Sequence, residues 1–488
     1  MTRPPAPVTP RRRPALSGTA LVVLYVALTA GPVLGAAVIG GMHAPTVLPI
    51  LARAAGVAAL AMLLMQFLTS GRFETISGRI GLDRTMGFHR LAAIAALLMI
   101  AAHVVFFLFR GAQPGFGQAL SRLVAYLTAP GLTTGVAATV LAVVLVIVAR
   151  SFRGRGLPYP VWRLGHGVAA TLVAALALHH GYANARFMAD PLGGGAIALV
   201  AALALGSLAF VYAVRPIQAF RHGFRVETAR RLAPSVCELV LTAPADGRFD
   251  FEAGQFAWLT IGRRHTVTDN PFSIASVRQD LPRLRFLIRD AGDMSGAVAG
   301  LMPGTPVGVD GPHGSFTLAE AGPGPLLFVA GGIGIAPVLS IIRQLSVTAD
   351  GRPVRLIAGA RTPADHVMRA ELEDLGRALD FAALYLADED GEGPSCEQGT
   401  CTTDHVARLM EGLDIGAATA FVCGPPAMME HAAPVLLDSG IPLKHIVMER
   451  FDFDAGHDAV CNVVRRRFVG VLVVVFAIVA AAALTAAW

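Results

Sequence analysis

Between Pro14 and Gly71 the chain carries a single charged side chain, Arg53. Two apolar stretches fill that interval, about 16–41 and 46–69, and four more follow at about 87–109, 132–149, 161–182 and 193–213. Each approaches the ~20 residues that an α-helix needs to cross ~30 Å of hydrocarbon. The first run follows Arg11, Arg12 and Arg13, as a secretory leader would. With five more runs behind it, it reads as a retained span. The expected layout is therefore a cytoplasmic tail, 1–14, and a six-helix membrane domain, 15–215.

Arginine positions orient the helices. With the N-terminus inside, the inner segments hold twelve arginines, among them Arg72, Arg84, Arg150 and Arg163, against four at the outer side (Arg53, Arg110, Arg122 and Arg186). Such an excess marks the cytoplasmic face. Residues 1–215 balance at +14 and residues 216–488 at −8. The net charge of +6 thus reports topology and gives no reason to expect a nucleic-acid partner. The expected partners are the lipid bilayer and a small-molecule or protein electron acceptor at the outer face. Arg110, Arg122, Arg186 and His43 form a weakly basic outer rim, read as solvated loop residues. All five cysteines follow residue 215, which suits a reducing cytoplasm. The site of action is then the cell membrane, with the second half of the chain inside.

From about 216 to 320 the pattern changes to short alternating runs between Gly and Pro turns, the mark of an antiparallel β-barrel. From 321 to 452 strands alternate with helices, which implies a doubly wound α/β domain with a parallel sheet. Residues 453–488 read as a linker and a further span after Arg465, Arg466 and Arg467. That span would put the C-terminus outside.

Ionisable side chains inside a membrane helix are costly and by default functional. The third stretch carries His89 and His103, and the fifth carries His166, His179 and His180. A spacing of 14 residues turns a helix through a net −40° or so and advances it about 21 Å. Both histidines of the third stretch therefore share a face, one in each leaflet. The two helices run in the same direction, so His89 lies at the depth of His166 and His103 at that of His179 or His180. Matched pairs at two depths meet the ligand requirement of two bis-histidine haems. His180 repeats the 14-residue spacing and His179 does not, and both remain candidates. The competing reading is helix packing. Phe106, Phe107 and Phe109 read as lipid-facing or core residues.

In the second half, GGIGIAP (Gly331–Pro337) follows a strand and opens a helix, a turn that lets backbone N–H groups approach a pyrophosphate. CGPP (Cys423, Gly424, Pro425) ends a later strand of the same sheet. NPFS (Asn270, Pro271, Phe272, Ser273) is placed after a barrel strand. There an aromatic ring can stack on a planar ligand and a hydroxyl can reach a ring nitrogen. GDMS includes Gly292, Met294 and Ser295. Each motif alone also fits ordinary packing. Their order, NPFS, GDMS, VDGPHG, GGIGIAP, GART, CGPP, MERF, resembles that of the ferredoxin-reductase family. Residues 15–215 resemble the ferric-reductase transmembrane domain, and the pair resembles ferric reductases and NADPH oxidases over roughly nine-tenths of the chain.

The resemblance implies two-domain binding of FAD and NADPH or NADH. Phe272, Ser273 and Phe451 would meet the flavin, and Arg289, Gly292 and Ser295 its phosphates. Gly331, Gly332 and Gly334 would line the dinucleotide pyrophosphate, and Cys423 and Gly424 would border the nicotinamide. Ser273, Cys423 and Phe451 would be the residues at the reacting rings. Arg361 of GART would meet an adenosine 2′-phosphate, which makes NADPH the expected donor and NADH the alternative. Asn270 departs from the usual Arg or His of the family. Cys396 and Cys401 resemble the start of a plant-type [2Fe–2S] loop, but the next ligand position holds Asp404, so no iron–sulfur cluster is expected. The expected activity is transfer of electrons from NAD(P)H through FAD and two b-type haems to a ferric chelate or dioxygen across the membrane. The alternatives are a membrane-anchored flavin reductase without haem and a haem-bearing subunit serving a partner protein.

Overall fold

The computed structural model describes residues 15–39, 42–70, 73–111, 115–151, 159–243, 249–262, 268–391, 396–450 and 459–486. The chain divides into two compact units. One comprises 16–76, 84–213 and 465–488, and the other 1–15, 77–83 and 214–464.

The first unit is helical. Seven helices among the described residues are long and apolar enough to cross a membrane. They run Gly18–Val38, Val47–Met65, Leu82–Leu108, Thr133–Arg150, Tyr159–Asn184, Pro191–Ala209 and Ala459–Thr485. Capping sets two of the starts. Ser17 Oγ accepts from Ala20 N at 3.2 Å. Asp190 Oδ1 accepts from Leu192 N at 2.8 Å, with Pro191 at the first position, where its missing N–H costs nothing. The alanine-rich second span is the axis of the bundle. Its small side chains let Val33 and Ala36 of the first span, Ala92, Ala95 and Ala96 of the third, and Ile197 and Val200 of the sixth into one core. The seventh span adds Leu472, Val475 and Val479 to that core, so the C-terminal segment is built into the bundle. A further 13-residue helix, Phe116–Thr128, lies between the third and fourth spans. It is held to the third span by Arg122, whose guanidinium donates to Leu108 O at 2.7 Å.

The second unit has two layers of chemistry. Two three-stranded antiparallel sheets come first: β1 (Arg225–Ala233), β2 (Val236–Thr242) and β5 (Arg283–Arg289) in the order β1-β2-β5, and β3 (Phe256–Ile261), β4 (Asn270–Ser273) and β6 (Val307–His313) in the order β4-β3-β6. Bridges at Arg225↔Pro306 and Ile274↔Phe286 join them. Inward residues Leu239, Leu241, Leu259, Phe286 and Val309 fill the core between them. NPFS follows the barrel strand β3 and is itself the next strand, β4.

A six-stranded parallel sheet follows: β7 (Leu326–Gly331), β8 (Val354–Ala360), β9 (Phe381–Ala387), β10 (Glu397–Gln398), β11 (Thr419–Cys423) and β12 (Ile446–Glu449), in the order β10-β9-β8-β7-β11-β12. Its central strands are continuous apolar runs, as burial on both faces requires. The helix Ile335–Thr348 ties it to the barrel. Ser340 Oγ donates to Ser276 O at 2.7 Å and accepts from Gly254 N at 3.2 Å. Gly254 has φ +92°, and a Cβ there would lie 1.9 Å from Phe316 O, so no other residue fits.

Candidate functional site

In the membrane unit the histidines occur as two pairs. The ring centres of His103 and His180 lie 6.5 Å apart with their planes at 87°. Two imidazoles bonded through nitrogen to opposite sides of one metal ion, at about 2 Å per bond, would have centres roughly 6 Å apart. His103 Nδ1 meets Ala52 O at 2.8 Å. A carbonyl only accepts, so Nδ1 carries the proton and Nε2 keeps its lone pair. Second-shell bonds of this kind orient metal-binding imidazoles.

Two glycines make room for the rings. A Cβ at Gly56 would come within 2.5 Å of His103 Nδ1, and one at Gly135 within 2.6 Å of His180 Nδ1. The structure brings His180, not His179, to His103. His179 instead contacts Thr134 Oγ1 through Nδ1 at 3.2 Å. Asn184 Nδ2 donates to His180 O at 3.0 Å and to Gly131 O at 3.1 Å, fixing the end of the fifth span against the start of the fourth. Phe107, expected to be a bystander, sets its ring edge-on to His103 at 5.2 Å.

The other pair is His89 with His166, which lie within electrostatic reach of each other. Thr69 Oγ1 lies 3.3 Å from His89 Nδ1, and the Gln66 side-chain amide reaches the same ring nitrogen at 2.9 Å. His166 stacks on Trp162 at 5.3 Å. Among the described residues no group of three or more His, Cys, Asp or Glu is placed to hold a metal. Imidazoles that come in pairs, with no third ligand beside them, would suit a haem better than a bare ion. The residues present fit that group.

In the second unit the glycine turn and CGPP are pressed together. A Cβ at Gly334 would lie 2.2 Å from Cys423 O, and one at Gly331 2.9 Å from Pro425 Cδ. A Cβ at Gly424 would lie 2.9 Å from Gly331 N. Gly332 takes φ +51°, and Pro337 is buried in the first turn of the following helix. The glycines therefore serve close approach between the ends of β7 and β11, and Gly332 is exposed at the sheet's C-terminal edge.

Cys423 is buried beside Glu449, its register partner on β12. Burial pushes its thiol well above the ordinary range, and the Glu449 carboxylate adds to this. The thiol is thus a neutral, polarisable wall, not a nucleophile. Glu449 stands in MERF, the motif that also holds Phe451. A Cβ at Gly314 would lie 2.5 Å from its Oε1, which packs the carboxylate beside Phe256, the register partner of Ser273. Only the strand register brings Cys423, Glu449, Phe256 and Ser273 into one neighbourhood.

Phe272 is half-buried and Ser273 buried on β4, and Asn270 Nδ2 donates to Thr268 O at 3.3 Å. Arg289 ends β5 on the surface. After it, Gly292 at φ +153° opens a short turn of helix in which Ser295 Oγ accepts from Ala291 N at 2.9 Å. Met294 packs against the barrel core. Arg361 is exposed after β8. Phe451 lies outside the described residues.

Comparison with known proteins accords with this division. Residues 328–433 match the oxidoreductase NAD-binding domain, and residues 55–177 match the ferric reductase like transmembrane component. The latter interval contains His89, His103 and His166. The chain is 32% identical over 246 residues to ferredoxin–NADP reductase B of Sorangium cellulosum, covering 48% of this chain and 100% of that protein. It is 34% identical over 245 residues to the reductase component of propane 2-monooxygenase of Rhodococcus jostii. That match covers 48% of this chain and 64% of the relative's length. A solved flavohemoglobin of Malassezia yamatoensis, with bound FAD and haem, matches with TM-score 0.44 at 18% identity, over 84% of this chain and 99% of that one.

Proposed function

Because the chain belongs to the ferredoxin-reductase-type oxidoreductases, joined here to a ferric-reductase-like transmembrane domain, we propose that it carries electrons from NAD(P)H on the cytoplasmic side of the cell membrane to an acceptor outside, a ferric chelate or dioxygen. The observation that supports this most is the His103–His180 pair, oriented by the Ala52 carbonyl and cleared by Gly56 and Gly135.

When bound, FAD would supply hydride acceptance and two b-type haems a single-electron path; the protein's task is to hold and orient them. His89 with His166, and His103 with His180, would hold the two haem irons. Phe272 would cover the flavin ring, and Ser273, beside Asn270 and Pro271 on β4, would reach its edge. Arg289, Gly292, Met294 and Ser295 would form the cradle for the flavin diphosphate. Gly331, Gly332 and Gly334 would present N–H groups to the dinucleotide pyrophosphate, with Pro337 setting the helix start. Cys423, Gly424 and Pro425 would wall the nicotinamide, keeping water from the reacting carbon. Phe451 would close the flavin's other side. No acid or base is required of the protein.

The test is vectorial. Proteoliposomes carrying a ferric chelate only in the lumen should form ferrous iron there when NAD(P)H is added outside. Consumption of NAD(P)H without lumenal reduction would refute transfer across the membrane. A second reading, electron delivery to a partner protein, is favoured by relatives that are reductase components of oxygenases. It predicts negligible chelate reduction without that partner.

A further inference from the structure

The parallel sheet has one switch point. From β7 the chain builds outward through β8 and β9, then returns to the other side for β11 and β12. Ligands of such sheets lie over the C-terminal ends of the strands at this point. With the glycine turn on β7 and Cys423 on β11, the remaining half of a dinucleotide has to extend over β8 and β9. Ala360 and Ala387 are register partners. The next residues, Arg361 and Asp388, therefore leave neighbouring strands at the same level, with backbones about 4.8 Å apart. The pairing continues past the strands. Asp388 N donates to Ala360 O at 3.1 Å, and Glu389 N to Arg361 O at 2.8 Å. Arg361, Asp388, Glu389 and Asp390 are all exposed. One arginine and three acidic residues thus leave the ends of neighbouring strands, inside the interval matching an NAD-binding domain.

We propose that the dinucleotide selected at this edge is NADH. Asp388 and Glu389 accept hydrogen bonds from the adenosine ribose hydroxyls and repel a 2′-phosphate. The inference rests on the reading that this domain binds NAD(P)H, and it reverses the preference that Arg361 alone implies. A ribose hydroxyl donates to a carboxylate. A phosphomonoester on the same oxygen carries roughly 1.5–2 negative charges at neutral pH and meets a rim whose acidic charges outnumber its single arginine.

Two measurements on the purified full-length flavoprotein test this: anaerobic flavin reduction by NADH and by NADPH, and equilibrium binding of NAD+ and NADP+. NADH should exceed NADPH at least tenfold in kcat/KM, and NAD+ should bind more tightly than NADP+. The double variant Asp388→Asn/Glu389→Gln should shrink both ratios at least tenfold. Equal or better use of NADPH by the wild type, or ratios unmoved in the variant, would overturn the proposal. Tighter NAD+ binding without flavin reduction by either donor would sustain the selectivity and refute the oxidoreductase reading. Binding of neither dinucleotide would overturn both.

Discussion

The imidazoles of His103 and His180, 77 residues apart in the sequence, stand ring to ring at 6.5 Å and at right angles on two separate helices. If this pair holds a haem, His103→Ala and His180→Ala should each lower haem content from two per chain to one. Flavin reduction by NAD(P)H should persist in both. His179→Ala, which removes a contact to Thr134 instead, should retain two haems. Haem-to-protein ratios in detergent distinguish the three variants, and loss of haem in His179→Ala would reassign the ligand.

The glycines facing those rings make a sharper test, because the ligands themselves are kept. Gly56→Val would put a Cβ about where His103 Nδ1 lies, at 2.5 Å. Overpacking of this kind costs about 1–3 kcal/mol, and moving the ring relieves it. One haem should be lost or should shift its spectrum, while Gly31→Val, where a Cβ meets nothing within 4 Å, should keep both. Identical spectra in the two variants would rule out Gly56 as a spacer.

Much of the architecture was legible because it is written locally. Spans show as runs, strands as alternation, and the histidine pairs as a spacing repeated on two helices. The choice between His179 and His180, the glycine spacers and Glu449 were not legible. Each depends on what a distant segment brings alongside: Gly135 faces a histidine 45 residues on, and Glu449 meets Cys423 only through parallel register. Asp388 and Glu389 belong to none of the quoted motifs, and only the pairing of β8 with β9 sets them beside Arg361.

The buried thiols predict a pH dependence. An unfolded thiol ionises near pH ~8.5, whereas burial pushes Cys401 up to about 11 and Cys423 higher. Above pH ~8.5 the unfolded chain releases protons that the native state keeps, so these groups contribute full stability below that pH and lose it as pH rises. The melting temperature of the full chain should fall between pH 8 and pH 10, and less steeply in Cys401→Ala. Equal slopes in the two proteins would contradict the assignment.

The barrel and the nucleotide domain share a charged network. Arg285 on β5 pairs with Glu238 on β2 and, at 3.0 Å, with Glu371 on the helix Arg369–Gly376; Arg343 also donates to Glu371. Without Arg285, Glu238 keeps only Arg230 and Glu371 only Arg343, so two partly buried carboxylates each lose a partner. Arg285→Ala should therefore destabilise this unit by about 2 kcal/mol, read as a lower urea midpoint with flavin fluorescence as the probe. An unchanged midpoint would show that solvent screens the network.

The most direct test of the whole account is the reduced-minus-oxidised spectrum of the detergent-purified chain, with haem quantified as its pyridine complex. The account predicts two b-type haems per chain, both reduced when NADH is added without oxygen. A preparation with flavin absorbance and no haem bands would contradict it.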